Sequence, residues 1–231
     1  GLGDVYKRQL LVLSTFITVL AIIYSIEHLP EPKSPKGFLA LILVLETGMN
    51  GTFVALDLIL FFVFFEIVLL PMYFMIGIWG DKTVRTVSGF KNQIETRLYA
   101  SIKFFVFTLF GSAFMLLGFL GLYYRGNKTF SIPELIELGT SGAFTGTFAT
   151  LVFAVLFLGF AVKVPMWPLH TWLPDAHTAA PTVGSVLLAA ILLKLGSYGF
   201  VRIAIPILPD QAKAWAPAIA ILSAIGIIYG S

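Results

Sequence analysis

AVKVPMWPLHTWLPDAHTAAPTVGSVLLAAILLKLGSYGF, residues 161–200, decides the fold. Apolar runs of helix length lie on both sides of a short stretch holding Pro165, Pro168, Pro174 and Pro181. Proline removes a backbone donor and clashes with the preceding turn, so a helix arriving from Phe148 must break just after Lys163. At membrane depth a broken helix is tolerated only inside protein or against a water-filled cavity. Its freed carbonyls and exposed helix ends are ready sites for ions and water. Lys163 stands at the lip of that break, and Lys194 lies near the middle of the next apolar run.

Outward from this stretch, apolar segments keep recurring. Of 231 residues, 58% are hydrophobic and 12% charged. Ordinary soluble domains carry roughly 25% charged residues. A soluble core of this size could not hide so many apolar runs, which leaves an integral membrane protein. Seven spans are expected: Leu10–Ile26, Phe38–Val54, Leu56–Trp79, Leu98–Tyr124, Phe148–Trp172, Thr182–Leu208 and Trp215–Tyr229. The alternating period of a β-barrel is absent. The expected fold is all-α, a polytopic transmembrane helix bundle with a broken helix at about Lys163–Pro174.

The connections set an expected topology. EHLPEPKSPKG (27–37) holds three prolines and mixed charge and reads as a loop. GMNGT (48–52) reads as a tight turn between two spans. DKTVRTVSGFKNQIETR (81–97) sets Lys82, Arg85, Lys91 and Arg97 against Asp81 and Glu95, and the positive-inside rule places it in the cytoplasm. Alternation puts residues 27–37 on the same side, in agreement with Lys33 and Lys36, and residues 125–146 outside. Lys7 and Arg8 disagree, but they belong to the leader GLGDVYKRQ, which is out of keeping with the rest of the chain. Residues 1–9 are therefore read as a non-native leader. Gly230–Ser231 stops inside an apolar run, and the chain is expected to be a fragment of a longer protein.

Several function classes drop out. A net charge of +3 is too small to argue for nucleic acid. With no cysteine, the chain has no cysteine-ligated cluster, thiol nucleophile or disulfide. It shows no nucleotide-binding loop, nucleophile elbow or metalloprotease motif. His170 and His177 lack the carboxylate or cysteine partners of a metal site.

What remains is charge in the wrong place. Glu66, Lys163 and Lys194 are flanked by apolar residues in FFVFFEIVLL, FLGFAVKVPM and AAILLKLGSY. A charge at bilayer depth costs about 2.5–3.5 kcal/mol on insertion scales, and such residues face a protein interior or a water-filled path. One acid and two bases suggest a proton or ion route. Each has a blander reading. Glu66 is interfacial if its span slides, and Lys163 can snorkel from the helix break. Lys194 has about a dozen mostly apolar neighbours on each side, too far for snorkelling. Glu46, in LILVLETGMNG, has an escape to the surface through the adjacent turn. Asp57 and Lys103 read as interfacial. Neutral histidine can relay protons, so His170 and His177 are accessory candidates, although a loop histidine is more often a simple hydrogen-bonding residue.

FFEIVLLPMYFMIGIWG (64–80), LETGMNGTFVALDLILFFVFFE (45–66) and the proline-rich stretch 161–200 resemble the chain M (subunit-4-type) antiporter-like membrane subunits of bacterial NADH–quinone oxidoreductase, respiratory complex I. The resemblance implies a fold of fourteen transmembrane helices with inverted five-helix repeats, two helices being discontinuous. Residues 10–231 would then be a partial proton-translocating membrane domain covering about helices three to nine. The family's helix-five glutamate falls on Glu66, its broken-helix-seven lysine on Lys163, its helix-eight lysine on Lys194 and its helix-four glutamate on Glu46. Ala179 departs from the commonest HTEAPT pattern.

The resemblance implies proton pumping driven by NADH-to-quinone electron transfer elsewhere in the complex. FMN, iron–sulfur clusters and quinone would sit in other subunits, with no cofactor in this chain. The partners would be the other membrane subunits and the lipid bilayer, with no nucleic acid, in a bacterial inner (plasma) membrane. In the expected relay Glu66 pairs with Lys163, and Lys194 accepts the proton when the pair parts. Two alternatives stay open: a subunit of a multi-subunit cation/proton antiporter, and a structural membrane subunit whose charges serve only helix pairing.

Overall fold

A computed structural model of the chain describes residues 2–85 and 94–230. Lys91 of the basic loop, and the side chain of Arg85, lie outside the described residues. Among those described, seven helices are long and apolar enough to cross a membrane: Val5–Glu27, Pro35–Val54, Leu58–Trp79, Thr96–Arg125, Gly146–Lys163, Thr182–Ile207 and Pro209–Tyr229. Together with the expected pattern of spans, they make the chain a multi-pass helical membrane protein.

The first two spans are α1 (Leu2–Glu27) and α2 (Pro35–Val54). The third is divided into α3 (Leu58–Ile67) and α4 (Leu69–Trp79), which meet at Val68. Pro71 lies one turn beyond that joint, and its missing N–H and its ring disturb the turn before it. A short antiparallel hairpin, β1 (Val84–Arg85) with β2 (Ile94–Glu95), leads into α5 (Thr96–Arg125). After it come α6 (Ile132–Thr140), α7 (Gly146–Lys163), α8 (Trp172–Ala179) and a continuous span made of α9 (Thr182–Leu187), α10 (Leu193–Gly199) and α11 (Ile205–Ile207). Two π-helical stretches, Leu188–Leu192 and Phe200–Ala204, join the parts of that span. The last span is α12 (Pro209–Gly230).

One expected connection is overturned. GMNGT is not a turn; it lies inside α2, and the chain turns only at Ala55–Asp57. The glycines are there for packing. A Cβ on Gly48 would fall 2.7 Å from Val68, and one on Gly51 would fall 2.3 Å from the Phe64 ring. Asp57 starts α3 by accepting from the amides of Ile59 and Leu60 at 2.9 and 3.0 Å, two donors the helix itself cannot satisfy.

The interior forms around α5 and α7. Lipid tails are as apolar as leucine, so helices in a bilayer associate through close approach rather than hydrophobic drive. A Cβ on Gly111 would lie 2.8 Å from Val162, one on Gly118 2.6 Å from Leu156, and one on Gly159 2.8 Å from Met115. Glycine on both helices lets them approach antiparallel at close range. At the far end from the hairpin, the loop before α6 is stitched to α3 by Leu58 N–H to Phe130 O (2.9 Å) and Ile132 N–H to Leu56 O (2.8 Å).

Candidate functional site

A helix that stops inside a membrane protein leaves its last carbonyls without partners. The end of α7 resolves this locally. Val164 N–H donates to Phe160 O at 2.8 Å and Met166 N–H to Ala161 O at 2.9 Å. Trp172 reaches back across the break with its indole Nε1–H to Val162 O at 3.0 Å. The break therefore runs over residues 164–171. Pro165 and Pro168 lie within it. Pro174 sits in the first turn of α8, where its missing N–H costs nothing, and Pro181 is the residue before α9. Thus two of the four prolines interrupt the helix and the other two begin new ones.

Lys163 is the last residue of α7 and only 3% exposed. It does not snorkel. Its Nζ lies 4.8 Å from the centroid of the Phe65 ring, a cation–π distance. Glu66, the next residue of α3, shares this interior: its carboxylate and the Lys163 ammonium interact through their charges, beside Ser112 of α5, whose hydroxyl donates to Thr108 O at 3.1 Å. Glu66 is half-buried. One acid, one base and a hydroxyl thus converge where three spans meet the end of a broken helix.

Lys194 differs from its sequence reading. It is exposed in this chain, and it lines a cavity of about 460 Å³ with Gln9, Ser197 and Tyr198. Its Nζ donates to Ala189 O at 2.7 Å, a carbonyl five residues back within the π-helical stretch. The wider π turn changes the ordinary i−4 pairing, and such turns recur at functional sites. Next to it, Tyr198 donates its hydroxyl to Phe53 O at 2.9 Å and ties this span to α2.

Glu46 loses its expected escape, because the adjacent turn is helix. It is half-buried on α2 and accepts from Asn50 Nδ2 at 3.4 Å. His170 lies in the break with its ring 5.4 Å from Tyr229, and Nδ1 finds no protein partner among the described residues. His177 lies on α8, and its backbone carbonyl accepts from Ser185 Oγ at 3.1 Å. Neither histidine is joined to Glu66 or Lys163 by a hydrogen bond among the described residues.

Lys103 departs furthest from its expected interfacial role. Its Nζ is 2.8 Å from Asp175 Oδ2, across 72 residues of sequence, with both side chains 20% exposed. Ser112 and this pair are the polar groups that sequence reasoning missed. A usable signal was present: two opposite charges near the ends of apolar segments, each costly alone, each the other's natural partner.

The family model described as NADH:quinone oxidoreductase/Mrp antiporter, TM, matches residues 55–231. NADH-quinone oxidoreductase subunit M of Rhodobacter capsulatus is 46% identical over 205 residues, covering 85% of this chain and 37% of that protein. The fold is similar to a chain of respiratory complex I from Thermus thermophilus with bound NADH. There the TM-score is 0.77 at 30% identity, over 97% of this chain and 43% of the other. It is also similar to a chain of the Mrp complex from Dietzia sp. DQ12-45-1b, with TM-score 0.72 at 22% identity, over 90% of this chain and 36% of that one. The Mrp likeness speaks for the fold alone. The chain spans about two fifths of the length of the curated relatives it matches.

Proposed function

Because the chain belongs to the NADH:quinone oxidoreductase/Mrp antiporter transmembrane family, we propose that it is the proton-carrying part of a membrane subunit of NADH–quinone oxidoreductase, with Glu66, Lys163 and Lys194 as the proton-bearing side chains. One observation carries the reading. Lys163 is 3% exposed, at the open end of a helix broken at mid-span, and shares its interior with Glu66.

The chemistry sets desolvation against pairing. Burial disfavours the charged form of lysine, and a nearby carboxylate favours it. With Glu66 close, Lys163 keeps its proton; when the two move apart, the proton is easier to release. Lys194 lies in α10 just past the π stretch, donates to Ala189 O within that stretch, lines a cavity and is the next acceptor. The interval from Lys163 to Lys194 is to be crossed by water and hydroxyls, Ser197 and Tyr198 being polar side chains that share the Lys194 cavity. Moving one charge across 100 mV is worth about 2.3 kcal/mol, so a change of one to two decades in proton affinity is of the required size.

The drive comes from outside this chain. FMN, iron–sulfur clusters and quinone belong in other subunits, the partners are the neighbouring membrane subunits and lipid, and the location is a bacterial inner membrane. The residue 81–97 connection faces the cytoplasm. The test is Glu66→Ala or Lys194→Ala in the full-length protein: NADH-coupled proton pumping collapses while the complex still assembles. Pumping at the wild-type rate by both variants removes the reading. A cation/proton antiporter subunit is the second reading, supported by the matching family model, which covers Mrp antiporter chains as well. Sodium-dependent proton exchange without NADH would favour it.

A further inference from the structure

The charge pair Lys103–Asp175 lies outside the Glu66–Lys163 interior, yet it is built into the same broken span. α5 and α7 run antiparallel, with Gly111 of α5 against Val162 of α7. Lys103 is eight residues before Gly111, about 12 Å nearer the hairpin end of α5 at 1.5 Å per residue. α8 runs in the same direction. Trp172 packs on Phe104 with ring centroids 5.4 Å apart, Asp175 meets Lys103, and Ala179 O accepts from Asp81 N–H at 2.8 Å beside the hairpin. The second half of the broken span therefore lies along the first turns of α5, between the hairpin face and Lys163.

What holds α8 there is unevenly distributed. Among the described residues, its inner end has one indole hydrogen bond and one ring contact. Its outer end has the backbone hydrogen bond from Asp81 and the bond from Ser185 Oγ to His177 O. Between them lies the 2.8 Å ion pair, with four-fifths of each side chain withdrawn from solvent. Parting a pair withdrawn from solvent leaves two uncompensated charges that then need water. Parting this pair and hydrating the gap between α5 and α8 are thus one event.

We propose that Lys103 and Asp175 are positioning residues for proton passage: their ion pair holds α8 closed against α5, and its parting opens a hydrated way between the hairpin face and Lys163. The proposal rests on the proton-carrying reading of Glu66, Lys163 and Lys194. Neither side chain is required to carry the proton; they set whether water reaches the residue that does.

The test uses the full-length chain assembled in its membrane complex. Lys103→Asp and Asp175→Lys each reverse one charge, and the double variant restores an opposite pair in swapped order. Contacting residues couple in double-mutant cycles, so each single variant is expected to slow NADH-driven proton uptake about tenfold, with the double variant recovering most of it. Backbone hydrogen exchange reads the opening itself: in Lys103→Met, the amides of α8 exchange about tenfold faster while those of α7 do not. Single reversals that pump at the wild-type rate overturn the proposal, as does a double variant that assembles and pumps no better than the singles. If the reversed chains do not assemble, unchanged α8 exchange in Lys103→Met overturns it alone. Glu66→Gln separates the two claims. Normal pumping by Glu66→Gln sinks the proton-carrying reading itself, whereas loss of pumping there beside normal Lys103 and Asp175 variants sinks only the latch.

Discussion

Trp172 Nε1 donates to Val162 O at 3.0 Å, so the first residue of α8 is bonded to the last turn of α7 across the break between them. The two halves of the span are discontinuous as helix and joined by a hydrogen bond. Trp172→Phe keeps the ring packed on Phe104 and removes the donor. Leaving one buried carbonyl unsatisfied costs about 1–3 kcal/mol. The expected outcome is a lower thermal midpoint and faster hydrogen exchange at the end of α7. An unchanged midpoint would mean that another donor replaces the indole.

Glycine positions separate by what surrounds them. Gly111→Ala puts a Cβ 2.8 Å from Val162 in a tight helix contact of the chain's interior, whereas a Cβ on Gly226 of α12 meets nothing within 4 Å. Overpacking costs about 1–3 kcal/mol, so Gly111→Ala should destabilise by that much. Gly226→Ala should instead gain up to about 1 kcal/mol from helix propensity. Thermal unfolding of both variants of this chain in detergent checks the contrast; equal midpoints would contradict it.

Asp57 is a helix cap rather than an idle interfacial charge. Asp57→Ala strands the amides of Ile59 and Leu60 and should cost about 1 kcal/mol, while Asp57→Asn, which keeps an accepting oxygen, should cost much less. The order of the two thermal midpoints is the measurement. An Asn variant as unstable as the Ala variant would assign the effect to charge rather than to capping.

The hairpin face has an acid-side signature. The Thr83 hydroxyl, and after it the Thr83 amide, hydrogen-bond Asp81 and hold its carboxyl below the usual carboxylate range. A folded value below the unfolded one means the contribution is full above the unfolded value, about 3.9, and is lost as pH falls through the folded value. A carboxyl-carbon NMR titration should therefore find Asp81 ionised below about pH 4, and Thr83→Val should move its midpoint upward. A midpoint that does not respond to Thr83→Val would refute the assignment of cause.

The readability of this chain depends on the length scale of each feature. Span number and the break after Lys163 are legible, because apolar runs and prolines act through local backbone physics. GMNGT misleads for the same reason: glycine and asparagine signal a turn locally, and only the approach of Phe64 and Val68 reveals Gly51 and Gly48 as contact surfaces. At the candidate site, the burial of Lys163 can be suspected but not ranked, since snorkelling and burial begin from the same sequence. Lys194 runs the other way: a long apolar neighbourhood on one helix says nothing about which side of that helix other spans cover. Ser112 and the Lys103–Asp175 pair need the tertiary path of α5.

The π-helical stretch Leu188–Leu192 acts on register. An extra residue in one turn of a helix, without an extra turn, is geometrically an insertion absorbed in place. Everything beyond it is rotated by about 100° relative to an ideal α-helix of the same sequence, since one residue is that fraction of a 3.6-residue turn. Lys194 therefore owes its heading to a single surplus residue upstream. Deleting one residue between Leu188 and Leu192 would return the stretch to ordinary α-helix and leave the lysine facing the same wall of the bundle, whereas the full-length stretch wound as plain α-helix would turn it to a different one.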